Sequence, residues 1–221
     1  MKAIVLSFDD GTIYVEKFIK LLNKYNLKAT LNLNSGLDNF IWYYEDKFPI
    51  KRLNLSLKKE LFINHEVASH TITHPYITGL SFEDIIKEVE EDRKNLSNIF
   101  NQNIESFAIP FDQYNEEIIE IIKNNTKIKN LRIPHFSDSY IPKSPYHVHI
   151  NAFYDDIDIY KKLELFSKNN LMNSMFVIVG HSYEFEVKND WEKIENLLKY
   201  ISNLKDCETY KMKDAINLIF K

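Results

Sequence analysis

Three groups of polar side chains in this sequence have the types needed for hydrolysis assisted by a metal ion: the adjacent carboxylates Asp9 and Asp10, the pair His70 and His74, and His181. One carboxylate with two imidazoles leaves an open position on zinc or a similar divalent ion, where a water can be acidified. His70 and His74 are four residues apart, so one helical turn would bring both rings to the same side, although Pro75 limits how that turn continues. Each feature has a plain explanation when taken alone. Asp-Asp-Gly is ordinary turn chemistry, and spaced histidines are more often satisfied surface or core residues. What joins them is placement: each cluster follows an apolar strand candidate, where a β/α barrel gathers its active site.

The elements that must position them alternate along the chain. Residues 2–8 predict a strand running into Asp9-Asp10-Gly11, and 13–25 predict a helix whose Val15, Phe18, Ile19, Leu22 and Tyr25 share one face. Further strands are expected at 29–33, 105–109, 130–133 and 174–179, with helices near 114–125, 155–168, 189–203 and 211–220. Ser81-Phe82-Glu83-Asp84 offers a capping box for a helix reaching about Phe100. The run Glu88, Glu90, Glu91 and Asp92, followed by Arg93 and Lys94, reads as the solvated face of that helix. Residues 34–64 carry Phe40, Trp42, Tyr43 and Tyr44 without a clean period, and packing is expected of these rings ahead of stacking on a sugar. The alternation implies an α/β chain with parallel strands and helical crossovers, either a β/α barrel or a doubly wound sheet.

Composition narrows the classes. The chain has 221 residues, 44% hydrophobic and 27% charged, which suits one packed domain over 1–221. Its 28 basic and 32 acidic residues are dispersed and leave a formal charge of -4, so no basic stripe prepares it for nucleic acid. Cys207 stands alone, which excludes an intrachain disulfide and a cysteine-rich zinc site. No run approaches the length of a membrane span, and the apolar stretch after Met1-Lys2 is too short for a secretory signal. The expectation is a cytoplasmic protein with no membrane partner.

Beyond this chemistry, Ser7-Phe8-Asp9-Asp10-Gly11-Thr12 resembles the Thr-Phe-Asp-Asp-Gly motif of the NodB-like polysaccharide deacetylases, carbohydrate esterase family 4. His65-Glu66-Val67-Ala68-Ser69-His70-Thr71-Ile72-Thr73-His74-Pro75 is similar to the second motif of that family. Phe107-Ala108-Ile109-Pro110-Phe111 lies where the third belongs, and Val179-Gly180-His181 where the fifth belongs. Gly180-His181-Ser182-Tyr183-Glu184-Phe185, followed by Trp191-Glu192-Lys193-Ile194-Glu195, resembles a bacterial subgroup of these proteins. The resemblance implies a distorted (β/α) barrel of the deacetylase type that removes N-acetyl groups from an amino-sugar oligo- or polysaccharide. It also implies one divalent ion on Asp10, His70 and His74, with zinc foremost and cobalt, nickel or iron as alternatives. Asp9 would be the general base, His181 the general acid, and the backbone N–H of Phe111 an oxyanion donor.

The sequence departs from the family pattern in two places. Ala108 stands where the third motif has an arginine that contacts the base, and Asp112 replaces a glycine. Arg132, at the end of the next strand candidate, could reach the same space, or could be an ordinary strand-end arginine. The fourth motif, whose aspartate orients the acid histidine, has no clean counterpart among Asp155, Asp156, Asp158 and Glu184. His147 and His149 alternate as in a strand, and a structural or substrate-contact role is expected ahead of metal binding. Two alternatives therefore stand beside the polysaccharide deacetylase: an amidase or esterase for a small soluble substrate, and a silent sugar-binding module.

Overall fold

The computed structural model of the chain describes residues 2–221. Its strands are β1 (Lys2–Asp9), β2 (Thr30–Leu33), β3 (Ile41–Tyr44), β4 (Phe48–Lys51), β5 (Glu66–Ser69), β6 (Ser106–Ala108), β7 (Asn130–Phe136), β8 (Val148–Ile150), β9 (Ala152–Phe153), β10 (Ser174–His181) and β11 (Glu208–Thr209). The helices are α1 (Val15–Lys24), α2 (Leu55–Lys58), α3 (Phe82–Ile86), α4 (Asp92–Phe100), α5 (Glu116–Asn125), α6 (Ile159–Lys168), α7 (Ser182–Val187), α8 (Trp191–Ser202) and α9 (Met212–Ile219). The main sheet runs β8-β7-β6-β5-β2-β1-β10-β9, with β11 beside β1. Every pairing in it is parallel, and the sheet curls into a distorted (β/α) barrel.

The barrel rests on β1 and β10, which pair in register from Lys2 opposite Ser174 to Asp9 opposite His181. Both are nearly continuous apolar runs because both faces of a parallel strand are covered. The two-residue side-chain period sorts β1. Ile4, Leu6 and Phe8 point outward to Phe18 and Leu22 of α1 and to the helices around Phe185 and Leu198. Ala3 and Val5 join Val148, Ile150, Val177 and Val179 in a second cluster, capped by Met212, Ala215 and Ile216 of α9. The same period continues through Ser7 to Asp9, so the catalytic candidate sits at the top of the inward-facing column. The sheet path ends on β8 and β9, and Asn151 links these edges. Its backbone N–H donates to Val177 O at 2.9 Å, and its side chain accepts from Val177 N and donates to Ser137 O, both at 2.8 Å.

Two features were not foreseen from the pattern. The aromatic stretch forms an antiparallel hairpin, β3–β4, outside the barrel, tied back by a bridge between Thr12 and Arg52. The expected long helix after Ser81 is interrupted by a π turn at Lys87–Glu91, so it consists of α3, that turn and α4.

At Gly180 a Cβ would stand 2.7 Å from Tyr154 Cδ1 and 2.9 Å from Phe8 Cε1, both fully buried rings. Gly180→Ala should therefore cost about 1–3 kcal/mol through overpacking. Urea unfolding of the variant checks this, and an unchanged midpoint would contradict the packing described.

Candidate active site

Asp9 reaches the barrel mouth with each carboxylate oxygen held. Asn32 Nδ2 donates to Oδ1 at 2.6 Å, and Arg132 Nη2 donates to Oδ2 at 2.6 Å. Arg132 stands on β7 directly across the ladder from Ala108 and also donates to Ser7 Oγ at 3.2 Å. A guanidinium from the neighbouring strand thus occupies the level at which the third motif lacks its arginine. Burial opposes charge on Asp9, but the Arg132 guanidinium, with His181 beyond it, outweighs it and holds the carboxyl below its ordinary range.

Asp10 turns away from Asp9 because its backbone is left-handed, φ 79°, and Gly11 follows at φ 54°. Its carboxylate meets a second buried guanidinium, Arg52 Nη1, at 2.9 Å. Burial again opposes the charge, and Arg52 is the largest influence keeping Asp10 far below the usual carboxylate range. The sequence pattern gave no reason to single out Arg52.

His70 and His74 do not lie on a helical turn. Residues 70–76 form a loop with left-handed Thr71 (φ 70°) and His74 (φ 58°), and Pro75 follows. Hydrogen bonds hold this conformation. Asn34 Nδ2 donates to His70 O at 2.5 Å and Thr71 O at 2.9 Å. Asp92 accepts from Ser69 Oγ at 2.6 Å, His70 N at 3.1 Å and Ser35 N at 2.7 Å. Asp92 is therefore fully buried beneath the loop, not part of a solvated acidic face, and Arg93 is buried as well. The π turn supplies the rest: Glu88 O accepts from Ile72 N at 3.2 Å, and the Glu88 carboxylate takes the N–H and hydroxyl of Thr73.

Donor atoms of Asp10, His70 and His74 lie within 4.8 Å of one another. His70 Nδ1 faces the Ala108 carbonyl at 2.8 Å; a carbonyl only accepts, so Nδ1 carries the proton and Nε2 keeps the lone pair. Burial pushes the His70 pKa down to about 4 and lowers that of His74, so both rings are neutral at physiological pH and keep lone pairs that a metal ion could take. Asp10 Oδ1 is buried without a hydrogen bond of good geometry and lies 3.3 Å from His74 Nε2. Two neutral imidazoles beside an anionic carboxylate oxygen fit a divalent ion. Nothing in the donor set chooses among zinc, cobalt, nickel and iron.

His181 closes the opposite side, with Nε2 4.0 Å from Asp10 Oδ2. Its Nδ1 lies 3.2 Å from Glu184 Oε2, and Glu184 is tied in turn to Lys188 at 2.9 Å. Burial disfavours the imidazolium, but the Glu184 hydrogen bond and the Asp10 and Asp9 charges raise its pKa to about 9. Glu184 holds its place as the third residue of α7, which His181 caps, so local helix geometry supplies the partner. Asp155 and Asp156 pair with Lys188 and Lys162 instead. His147 and His149 bond to Ser144 with Glu116, and to Ser139 O, away from the cluster.

Phe111 (φ 58°) stacks on Tyr76 at 3.9 Å and 11°, and its N–H has no acceptor among the described residues. A cavity of about 450 Å³ joins Asp9, His70, Arg132 and His181 to the Phe136–Phe153 pair. A groove of about 300 Å³ continues past Asp10 and His74 to Trp42 and Arg52.

Replacing Asp92 by alanine strands three donors beneath the ligand loop and should cost about 2–4 kcal/mol. Burial pushes its carboxyl up to about 7, above the unfolded value of 3.8. Its stabilisation is therefore complete below about pH 4 and lost as pH rises through about 7. The gap in urea midpoint between wild type and Asp92→Ala should shrink over that interval; a constant gap would contradict it.

Residues 1–127 match the profile of the polysaccharide deacetylase family. YxkH of Bacillus subtilis strain 168 is 26% identical over 121 residues, 54% of this chain and 40% of that protein. YlxY of the same organism is 24% identical over 122 residues, 55% and 34%. The chain thus spans less than half the length of these relatives. Among solved structures, a family 4 carbohydrate esterase from Streptomyces lividans in complex with acetate superposes with TM-score 0.61 at 14% identity, covering 94% of this chain and 91% of that one. The peptidoglycan deacetylase PdaC of Bacillus subtilis gives 0.61 at 15%, covering 98% and 91%. A CE4-family pseudoenzyme from Bacillus anthracis gives 0.61 at 18%, covering 97% and 65%. With the profile match over the motifs that carry Asp9, Asp10, His70 and His74, the chain belongs to the polysaccharide deacetylase family.

Proposed function

We propose that this protein is a metal-dependent deacetylase that hydrolyses the N-acetyl group of an amino sugar in an oligo- or polysaccharide. The observation that carries the reading is the 2.6 Å contact between Arg132 and Asp9, which supplies a fixed cation where Ala108 leaves none. Without that contact the Ala108 departure would favour a silent binding module. With it, base, acid and ligand set all converge on one cleft.

The residues divide the work as follows. Asp10, His70 and His74 would hold one divalent ion, zinc foremost, which polarises the acyl carbonyl and acidifies water when bound. Asp9, kept ionised and aimed by Arg132 and Asn32, takes the proton from the attacking water. Phe111 lines the cleft, and its backbone N–H, with no acceptor among the described residues, would offer a hydrogen bond to the developing oxyanion. His181, held protonated by Glu184, delivers its proton to the departing nitrogen, so the amine leaves neutral. The paired rings Tyr76–Phe111 and Phe136–Phe153 border the cleft and present apolar faces suited to a pyranose ring. Among the described residues no helix is long and apolar enough to cross a membrane.

Acetate release from N-acetylated sugars and chitooligosaccharides, by protein chelated and then reloaded with zinc or cobalt, tests the reading. Release should require the ion and fall about 10³-fold in Asp9→Asn. Arg132→Ala should lose about 10–100-fold in kcat; full activity there, with Asp9→Asn dead, would refute the role of Arg132. Bound ion with no release from any substrate would instead favour the binding module. Glu184→Gln removes the strongest support of the His181 proton, so the alkaline limb of the rate–pH profile should move down by about one unit. An unmoved limb would exclude His181 as the acid that Glu184 governs.

A further inference from the structure

Arg52 enters from the end of the β3–β4 hairpin, outside the barrel, yet only 6% of the residue is exposed. Its contacts converge on one nitrogen: Nη1 reaches Asp10 Oδ1 at 2.9 Å, Asn34 Oδ1 at 2.8 Å and the main-chain oxygen of Asp10. Nε is buried without a partner, and the Trp42 ring lies 4.7 Å from the guanidinium. A cation this deeply buried is tolerable only against a paired anion, and the same holds for Asp10 in return. Asp10 Oδ1 also faces His74 Nε2 at 3.3 Å, so the oxygen that meets the guanidinium borders the ligand cluster. Asn34 passes the connection on to His70 O and Thr71 O, joining both ligand-bearing loops.

We propose that Arg52 is a positioning residue acting as the standing counter-ion of Asp10: it holds this carboxylate and its left-handed backbone without a divalent ion, and competes with that ion for the same negative charge. The inference rests on the reading of Asp10 as a metal ligand. Two consequences separate it from a mere anchor for the hairpin. The anchoring contacts are main-chain ones, Arg52 N to Phe40 O at 2.8 Å and the bridge to Thr12, and they survive a change of side chain. Because the polar contacts meet at one nitrogen, an ammonium placed there could serve in part.

The test is thermal unfolding of the full chain, chelated and then loaded with zinc or cobalt. Chelated Arg52→Met should melt lower than wild type by roughly 6 °C or more, since a buried carboxylate loses its nearest cation and keeps only His181 at 4.0 Å. Added ion should restore more of that loss than it adds to wild type, so the gap between loaded and chelated protein widens. Arg52→Lys should keep close to the wild-type gap. Chelated Asp10→Asn/Arg52→Met should melt above Asp10→Asn alone, because the lone guanidinium is gone; this comparison decides the matter if Arg52→Met proves insoluble. An equal drop in both forms, a narrower gap, or a double variant no more stable than Asp10→Asn would overturn the proposal while leaving the metal site standing. No response of the wild type to either ion would overturn both.

Discussion

Two carboxylates adjacent in sequence and buried at the same barrel mouth are the constraint around which this structure is built. At an effective dielectric near 20 such neighbours repel by about 3–4 kcal/mol, and burial adds a further cost to each. The fold answers by sending them in different directions and giving each its own guanidinium. The side-chain period of β1 turns Asp9 inward to Arg132, while the left-handed backbone at Asp10 brings its carboxylate to Arg52. The two arginines come from opposite sources, one from a barrel strand and one from a hairpin outside it. Each pair therefore depends on a separate piece of tertiary structure.

The same division explains where strain is kept. Asp10, Thr71, His74 and Phe111 all have φ between 58° and 79°; three of them line the cleft, and Thr71 lies in the loop between His70 and His74. A non-glycine residue held there costs on the order of 1 kcal/mol or more, so each must be over-determined by its surroundings. Arg52 clamps Asp10, Asn34 clamps Thr71, the Thr71 hydroxyl accepts from His74 N, Asp92 and the π turn clamp the loop from below, and the Tyr76 stack fixes Phe111. The Glu88 carbonyl that accepts from Ile72 N lies within the irregular turn Lys87–Glu91, so that turn helps to hold the His70–His74 loop.

Periodicity and local chemistry made β1, α1, β10 and the paired motifs legible from the sequence, because apolar runs and capping residues act over a few positions. Residues whose roles depend on distant partners were not legible. Asp92 looks like one more acid in a charged run; only packing of α4 under β5 turns it into a buried acceptor for His70. Arg52 sits in a segment with no clean period, since a hairpin of two four-residue strands leaves little pattern. Glu184 was within view, three residues after His181, but its meaning came from α7 beginning at Ser182. The spacing of His70 and His74 suggested a helical turn, whereas left-handed residues bring the rings together by another route. Arg132 was open to inference because parallel register can be reasoned about: a strand beside Ala108 offers a residue at the same height.

That register point has a wider consequence for the site. A cation fixed on Asp9 has to occupy a position in space, and in a parallel barrel adjacent strands present their inward side chains at matching levels. Ala108 and Arg132 are cross-ladder partners, so an arginine can be lost from one strand and its guanidinium supplied from the next without moving the carboxylate it serves. The Ala108 carbonyl also accepts from His70 Nδ1, which fixes the tautomer whose Nε2 keeps its lone pair. One strand position therefore orients a histidine through its backbone while its ladder partner pairs with Asp9. The chemistry is spread over two strands that only the fold brings into line.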